Sequence, residues 1–293
     1  MAHWPRANTL ETATREDLPM TEPSWPQDRR ITVRDLQAAT DRGERWAMLT
    51  SYDALTAGVF ERAGVRALLV GDTAAMVVYG HDSTVPVTMG QLIPLVQAVV
   101  RGTRTALIVA DLPFGAYQGS AERALDSAAR QLKEGGAQAV KLEGGQAVLP
   151  AVRMMTQAGI PVMGHLGLTP QSVHVLGGTR RVQGRGNAGG RLLEDARALQ
   201  DAGAFAVVLE AIPAELGTRV SEALAIPTVG IGAGGGCDAQ ILVWQDLAGL
   251  TPGHLPRFVK RYADLDDVLT TAVASYVNDV ADGAYPAPEH CYT

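Results

Sequence analysis

Charged and polar side chains stand at the ends of short apolar runs in the middle of this sequence. Asp72 and Thr73 follow ALLVG, Asp111 ends ALIVAD, and Lys141 and Glu143 alternate in AVKLEG. In a strand, side chains at i and i+2 share a face, so the lysine and the glutamate point the same way. A buried charge without a partner is expensive. The two residues therefore form either a structural ion pair or part of a site.

Three of these carboxylates, Asp72, Asp111 and Glu143, together indicate a metal site. They come from three successive apolar runs, which are neighbours in a parallel barrel. Carboxylates that meet at one barrel mouth repel each other unless a cation lies between them. Oxygen ligands without cysteine favour Mg²⁺ over zinc. Lys141 adds a positive charge that suits a substrate carboxylate.

Two later runs also carry an ionisable residue, His165 in VMGHLG and Glu210 in FAVVLEA. Each candidate has an ordinary structural explanation as well. An Asp or Thr after a strand is often a helix N-cap, and a single His is often a packed, hydrogen-bonded side chain. The sequence alone leaves these alternatives open for each residue taken singly.

Eight apolar runs alternate with helical stretches and must position these residues. The runs lie at 46–52, 67–72, 106–111, 139–144, 162–167, 205–211, 228–234 and, more weakly, 244–250. Continuous apolar strands are typical of a parallel sheet covered by helices. Eight strand–helix units predict a (β/α)8 barrel, with a helix over 31–42 before the first strand. A doubly wound open sheet is the alternative.

Composition narrows the class of protein. The chain has 293 residues and a net charge of −6, which argues against a nucleic-acid partner. Its two cysteines predict a reducing, cytoplasmic location, and no apolar run is long enough for a membrane span. We expect residues 1–30 to form a disordered extension and residues 31–293 to form one barrel domain with C-terminal helices and a tail.

A glycine cluster, GIGAGGG at 230–236, raises a different possibility. Such loops bind phosphate through backbone N–H groups, and barrels often bind phosphate after strands seven and eight. A phosphate- or flavin-binding barrel therefore stays an alternative. The spacing fits a dinucleotide fingerprint poorly. Tight turns beneath a narrow loop are the favoured interpretation.

Several stretches taken in order resemble one family, ketopantoate hydroxymethyltransferase. The resemblance extends from about residue 31 to the tail YPAPEHCY at 285–292. The motifs that carry it are LLVGDT (68–73), YGHDSTVPVT (79–88), ADLPF (110–114), VKLEGG (140–145), GHLGLTPQS (164–172), VQGRG (182–186), VLEAIP (208–213) and IPTVGIGAG (226–234).

The resemblance implies a barrel of the phosphoenolpyruvate/pyruvate type and a Mg²⁺ enzyme of pantothenate biosynthesis. Such an enzyme transfers a one-carbon unit from 5,10-methylenetetrahydrofolate to 3-methyl-2-oxobutanoate, which gives 2-dehydropantoate. Family members commonly assemble as decamers of stacked pentamers. We therefore expect a 2-oxo acid and a folate as small-molecule partners and a homo-oligomer.

The resemblance also implies roles for particular residues. It associates the metal with Asp72, Asp111 and Glu143, and the 2-oxo acid with Asp72-Thr73, Asp111 and Lys141. Glu210 matches the proton acceptor. Thr73 stands where the family usually has serine, so its extra methyl group is a departure.

The chemistry suggested by these residues is proton removal from C3 by Glu210, with Mg²⁺ as a Lewis acid for the enolate. His165 is expected to orient the substrate. A Mg²⁺ lyase of the same superfamily, acting on a 2-hydroxy or phosphonate acid, is the main alternative. A non-catalytic barrel that serves as a scaffold is a further one, although buried convergent charges would then only destabilise it.

Overall fold

The computed structural model describes residues 25–178 and 181–292. Eight strands in these residues form a closed parallel barrel in chain order, and the last strand pairs with the first. This confirms the predicted barrel and excludes the open sheet. The strands are β1 Trp46–Thr50, β2 Ala67–Val70, β3 Leu107–Asp111, β4 Ala139–Lys141, β5 Val162–Gly167, β6 Ala206–Glu210, β7 Thr228–Ile231 and β8 Ala239–Leu242.

Helices surround the barrel. They are α1 Val33–Asp41, α2 Ala54–Arg62, α3 Ala74–Val77, α4 Met89–Gly102, α5 Ala121–Arg130, α6 Leu149–Gln157, α7 Val173–Leu176, α8 Asn187–Asp201, α9 Ala214–Ala223, α10 Trp244–Leu247 and α11 Leu265–Ala281. A π-helical turn, Gln131–Gly135, extends α5. The residue that ends this turn, Gly136, is left-handed with φ +80.

Local signals explain why several of these helices start where they do. Asp53 accepts hydrogen bonds from the backbone N–H groups of Leu55 and Thr56, both at 2.9 Å, and so caps α2. Thr88 and Gln91 form a capping box at the start of α4. Each cap satisfies N–H groups that have no partner inside the helix.

The prediction of the eighth strand was wrong. The expected run at 244–250 contains the short helix α10, and the strand is Ala239–Leu242 instead. This segment pairs with both β7 and β1, which is what barrel closure requires. The seven residues 232–238 between β7 and β8 contain no helix, so the strand–helix rhythm that guided the prediction breaks at this point.

The N-terminal end of the barrel is closed by the segment that precedes β1. Trp25 and Ile31 are buried in the same apolar cluster as the residues inside the barrel. The backbone N–H of Ile31 donates to the carbonyl of Thr105 at 2.7 Å. The predicted extension over 1–30 therefore includes residues that contact the barrel, namely Trp25 and Arg30. Its first 24 residues lie outside the described part of the chain.

The long C-terminal helix α11 differs from the others because almost all of its residues are exposed. Its apolar side chains are between 46% and 61% exposed, namely Val268, Leu269, Val273, Tyr276, Val277 and Val280. Within the described ranges, no helix combines the length and the apolar character that a membrane crossing needs.

Candidate active site

A cavity of about 240 Å³ opens at the C-terminal ends of the strands. All seven residues singled out in the sequence line it, which are Asp72, Thr73, Asp111, Lys141, Glu143, His165 and Glu210. In a parallel barrel the carboxyl ends of all strands meet at one mouth, so residues far apart in sequence come together there. The structure thus brings the whole predicted set to one place, while the role of each residue stays a prediction.

A buried ion pair forms the centre of the charged wall. Lys141 Nζ lies 2.8 Å from Asp111 Oδ1, and both side chains are almost fully buried. The backbone N–H of Asp72 donates to Asp111 Oδ2 at 2.9 Å, which joins β2 to β3 at their ends. Thr73 begins α3 without a side-chain capping bond. The N-cap explanation therefore fails for Thr73, and its side chain faces the cavity instead.

His165 connects two carboxylates across the cavity. Its Nδ1 is 3.2 Å from Glu143 Oε1, and its Nε2 is 3.1 Å from Glu210 Oε2. Burial and the nearby Lys141 lower the pKa of His165, but the two glutamates outweigh them and raise it to about 9. The imidazole thus lies between two carboxylates, and its Nδ1 is also 3.5 Å from Lys141 Nζ.

Gln171, from the loop after β5, was missed in the sequence and holds two of the candidate metal ligands. Its side-chain amide donates to Asp72 Oδ2 at 2.9 Å, and its backbone N–H donates to Glu143 Oε2 at 3.0 Å. Its side-chain oxygen accepts from the Tyr117 hydroxyl at 2.7 Å, which fixes the orientation of the amide. Gln171 carries no charge, so a search for ionisable residues passes over it.

The carboxylates of this wall are more numerous than its basic groups. Burial, then Asp111 and Glu143, raise the pKa of Asp72 well above its ordinary value. Burial lowers the pKa of Lys141, but the carboxylates around it more than compensate and raise it overall. An excess of buried negative charge is the environment that a divalent cation stabilises.

The geometry fits a metal held by two carboxylates better than one held by three. No group of three or more His, Cys, Asp or Glu residues within the described ranges is arranged to hold a metal ion. Asp72 and Asp111 are adjacent, whereas the Glu143 oxygens are turned toward His165 and Gln171. Mg²⁺ commonly binds through one or two carboxylates and keeps water or substrate oxygens as its other ligands. The residues present fit that pattern.

The backbone around Glu210 is unusual. Ala211, the next residue, has φ +49, a left-handed conformation that is rare for a residue with a side chain. Gly167 lies against Glu210, and a Cβ at this glycine would come within 2.2 Å of the Glu210 carbonyl oxygen. Backbone strain of this kind tends to be retained at functional sites. Here it belongs to the residue that directly follows the candidate base.

A family model described as ketopantoate hydroxymethyltransferase matches residues 30–288. The chain belongs to this family. A 3-methyl-2-oxobutanoate hydroxymethyltransferase from Frankia casuarinae is 63% identical over 272 residues, which cover 93% of this chain and 92% of the relative. The protein of the same name from Thermobifida fusca is 59% identical and covers 90% of this chain and 94% of its own. The chain is therefore an enzyme, a hydroxymethyltransferase.

Solved structures similar to this hydroxymethyltransferase share its overall fold. A phosphonopyruvate hydrolase in complex with oxalate and Mg²⁺ aligns with a TM-score of 0.57 at 14% identity, over 89% of this chain and 93% of its own. A 2,3-dimethylmalate lyase of the PEP mutase/isocitrate lyase superfamily aligns with a TM-score of 0.55 at 17% identity, over 89% and 91%. At such identities the likeness concerns the fold, and the family match favours the transferase over the lyase alternative.

In this hydroxymethyltransferase the glycine cluster at 230–236 serves close packing. No glycine of the cluster is among the described residues that line the cavity. A Cβ at Gly232 would meet the ring of Phe258 at 2.6 Å, and one at Gly236 would meet the Thr218 hydroxyl at 2.1 Å. The cluster thus lets other elements approach the β7–β8 loop, in agreement with the favoured interpretation of the sequence.

Proposed function

We propose that the enzyme transfers a hydroxymethyl group from 5,10-methylenetetrahydrofolate to 3-methyl-2-oxobutanoate, which gives 2-dehydropantoate for pantothenate biosynthesis. The observation that carries the proposal is the cavity itself. It sets a candidate base, Glu210, and a buried ammonium, Lys141, within one enclosure. The relatives that are named for this reaction support the choice of substrate.

Lys141 and its neighbours bind the 2-oxo acid in this proposal. The buried ammonium of Lys141 attracts the substrate carboxylate, and the Thr73 hydroxyl is available as a further donor. Asp72 and Asp111 hold Mg²⁺, and Glu143 stands beside them, fixed by Gln171. When bound, the metal supplies Lewis acidity that makes the C3 proton easier to remove.

Glu210 acts as the base that takes the C3 proton. The ring nitrogens of His165 lie 3.1 Å from Glu210 and 3.2 Å from Glu143, so His165 holds the base in position and connects it to the charged wall. The electron pair left at C3 forms a bond to the folate methylene carbon, and both carbon–nitrogen bonds of the methylene bridge, to N5 and to N10, break. Water supplies the hydroxyl group, and the two nitrogens take up the other water proton and the C3 proton to give tetrahydrofolate.

A homo-oligomer, and by family resemblance a decamer, is part of the proposal. The support is α11, which exposes six large apolar side chains along a helix of 17 residues. An unpaired apolar surface of this kind marks an interaction site. A second copy of the chain is the partner we propose. Substituting Val273 by Asp should shift the protein to smaller species in native mass spectrometry, whereas an unchanged mass would remove α11 from the interface.

A cytoplasmic location is also part of the proposal, because the cysteines indicate a reducing compartment. Both Cys237 and Cys291 are free, and Cys291 is exposed. An exposed thiol persists in a reducing compartment. Fractionation of the native cells, with detection of the enzyme by mass spectrometry, tests this assignment.

The deciding experiment is formation of 2-dehydropantoate from 3-methyl-2-oxobutanoate and 5,10-methylenetetrahydrofolate, with Mg²⁺ and with EDTA. We expect product only when the metal is present. Product in EDTA would remove Mg²⁺ from the mechanism. No product under either condition would overturn the proposed reaction and leave only the fold and the family.

A further inference from the structure

The cavity has two walls of different chemistry. The wall from β2 to β6 carries the ionisable residues described above, whereas the wall from β7, β8 and the following segment is apolar. The apolar wall consists of Ile231, Ile241, Leu242, Val243, Pro256 and Phe258. A small 2-oxo acid bound by Lys141 occupies the charged wall. The apolar wall is then available to a second, larger reactant.

One acidic side chain interrupts the apolar wall. Asp246, in α10, lines the cavity and is half-buried. Its Oδ1 accepts a hydrogen bond from the Thr251 hydroxyl at 2.6 Å. Among the described residues, none donates a hydrogen bond to Oδ2. Burial raises the pKa of Asp246 despite Thr251 and Arg261, as expected for a carboxylate with too few donors.

The helix that carries Asp246 is held firmly against the barrel. The backbone N–H of Trp244 donates to Thr50 Oγ1 on β1 at 3.1 Å, and the Trp244 ring lies 5.8 Å from that of Phe60. The backbone N–H of Tyr262 donates to the carbonyl of Leu247 at 2.9 Å, which ties the other end of α10 to the following segment. Asp246 is thus placed before any ligand arrives.

Phe258 supplies a flat apolar surface on the same wall. Its ring lies directly on Gly232, where any Cβ would displace it. The ring lines the cavity and keeps part of its surface exposed. A flat ring beside a carboxylate fits a planar heterocycle that carries N–H donors on one edge.

We infer that Asp246 and Phe258 form the subsite for the pterin ring of the folate co-substrate, with Asp246 on its donor edge and Phe258 on its face. The inference rests on the proposed function, since a folate is what would bring a pterin into the cavity. The pyrimidinone edge of a pterin carries N3–H and the 2-amino group side by side. These two donors match the two oxygens of a carboxylate, as the donors of a guanidinium do.

Direct binding of tetrahydrofolate, measured by calorimetry on the Mg²⁺-loaded enzyme, tests the subsite. Asp246→Asn keeps the shape but replaces one acceptor by a donor, so we expect binding about 10- to 100-fold weaker. Phe258→Leu keeps an apolar side chain but removes the flat ring, and we expect about 2- to 10-fold weaker binding. Thr251→Val is the matched control, because it removes the internal hydrogen bond of Asp246 and leaves its charge.

A second assay separates this inference from the proposed function. Exchange of the C3 proton of 3-methyl-2-oxobutanoate with deuterated water, followed by NMR without folate, reports on Glu210 and the metal alone. Asp246→Asn should affect tetrahydrofolate binding far more than this exchange. Thermal unfolding of each variant checks that it is folded.

Several outcomes would overturn the inference. Tetrahydrofolate binding within twofold of wild type in Asp246→Asn removes the acid from the subsite, although the proposed function stands. An equal loss of tetrahydrofolate binding in Thr251→Val would mean that Asp246 only stabilises the turn. A rise in KM for the 2-oxo acid alone, in the Asp246 and Phe258 variants, would assign the apolar wall to that substrate. A wild-type enzyme that neither exchanges the C3 proton nor forms product refutes the proposed function and the subsite with it.

Discussion

Charged side chains at the two ends of the barrel have different kinds of partner. At the N-terminal end, Glu61 accepts hydrogen bonds from three consecutive backbone N–H groups, those of Arg104, Thr105 and Ala106. Arg30 donates to the carbonyls of Ala106 and Thr103 at 2.6 and 2.8 Å. The charges of Glu61 and Arg30 are thus matched by backbone groups. At the C-terminal end, four carboxylates share two basic side chains, Lys141 and His165, and two backbone N–H groups, those of Asp72 and Gln171, donate to the acids.

This difference separates structural charges from functional ones. Backbone groups cannot change partner without unfolding, so the charges at the N-terminal end fix the chain. At the C-terminal end, acidic side chains outnumber the basic side chains that pair with them, as the raised pKa of Asp72 indicates. Such a site gains stability when a cation or a substrate arrives. The repulsion between carboxylates at the C-terminal end is thus relieved when a cation or substrate binds.

The largest expected effect is on the candidate base. Glu210→Gln keeps the size of the side chain but removes the proton acceptor, so turnover should fall by about 10²–10⁴ while the protein stays folded. Steady-state kinetics measure the fall. Glu215→Gln, an exposed position on α9, is the matched control. Nearly normal turnover in Glu210→Gln would remove this residue from the role of base.

Replacing Asp72 should affect the metal and the apo protein in opposite directions. Asp72→Asn removes one of the mutually repelling carboxylates, and we expect Mg²⁺ binding to weaken at least 10-fold. Because the folded-state pKa of Asp72 is raised, its charge destabilises the fold at neutral pH. The metal-free variant should therefore be more stable than the metal-free wild type. Calorimetric Mg²⁺ titration and thermal unfolding in EDTA measure the two effects, and a less stable apo variant would contradict this account of the mouth.

A smaller loss of Mg²⁺ affinity is expected from Gln171→Leu. This variant leaves every carboxylate in place but removes the amide that donates to Asp72. Residues that orient metal ligands typically contribute 10- to 100-fold to affinity, and we expect the lower end of that range here. Direct Mg²⁺ titration gives the answer. Gln118→Ala, which removes a contact to Gln171 from an exposed position, should bind Mg²⁺ like wild type.

The smallest effect on activity is expected at the N-terminal end. Glu61→Gln weakens three charge-assisted hydrogen bonds and should reduce stability by about 1–2 kcal/mol, which lowers Tm by roughly 2–8 °C. The kcat should not change. Burial opposes ionisation of Glu61, but the backbone donors prevail and lower its pKa below the ordinary 4.5. Its contribution is therefore complete above that value, and the Tm difference between wild type and variant should shrink as the pH falls below it. A constant difference across pH would contradict the ionic origin.

Much of this architecture was predictable from the sequence. Buried parallel strands produce apolar runs, and charges at their ends are conspicuous because apolar residues surround them. Asp72, Lys141 and Glu210 were found in this way, since barrel geometry gathers strand ends at one mouth. The helix before β1 was also predicted correctly.

Three features were not predicted from the sequence, namely the role of Gln171, the position of β8 and the burial of Trp25. Gln171 becomes part of the site only through Asp72, 99 residues earlier, and its side chain is uncharged. The strand β8 was missed because Gln240 interrupts its apolar run and no helix precedes it. Trp25 resembled part of a polar extension, yet it is buried in the apolar cluster at the end of the barrel.

The absence of a side chain at Gly232 has a consequence for how the enzyme can evolve. A methyl group there would come within 2.6 Å of the Phe258 ring, so even alanine would force the ring to move. Gly232 therefore sets the position of Phe258, which lines the cavity, although Gly232 itself is not among the lining residues. A search for variants that accept altered folates should include this position, because a mutation there moves Phe258 and leaves every residue of the charged wall unchanged.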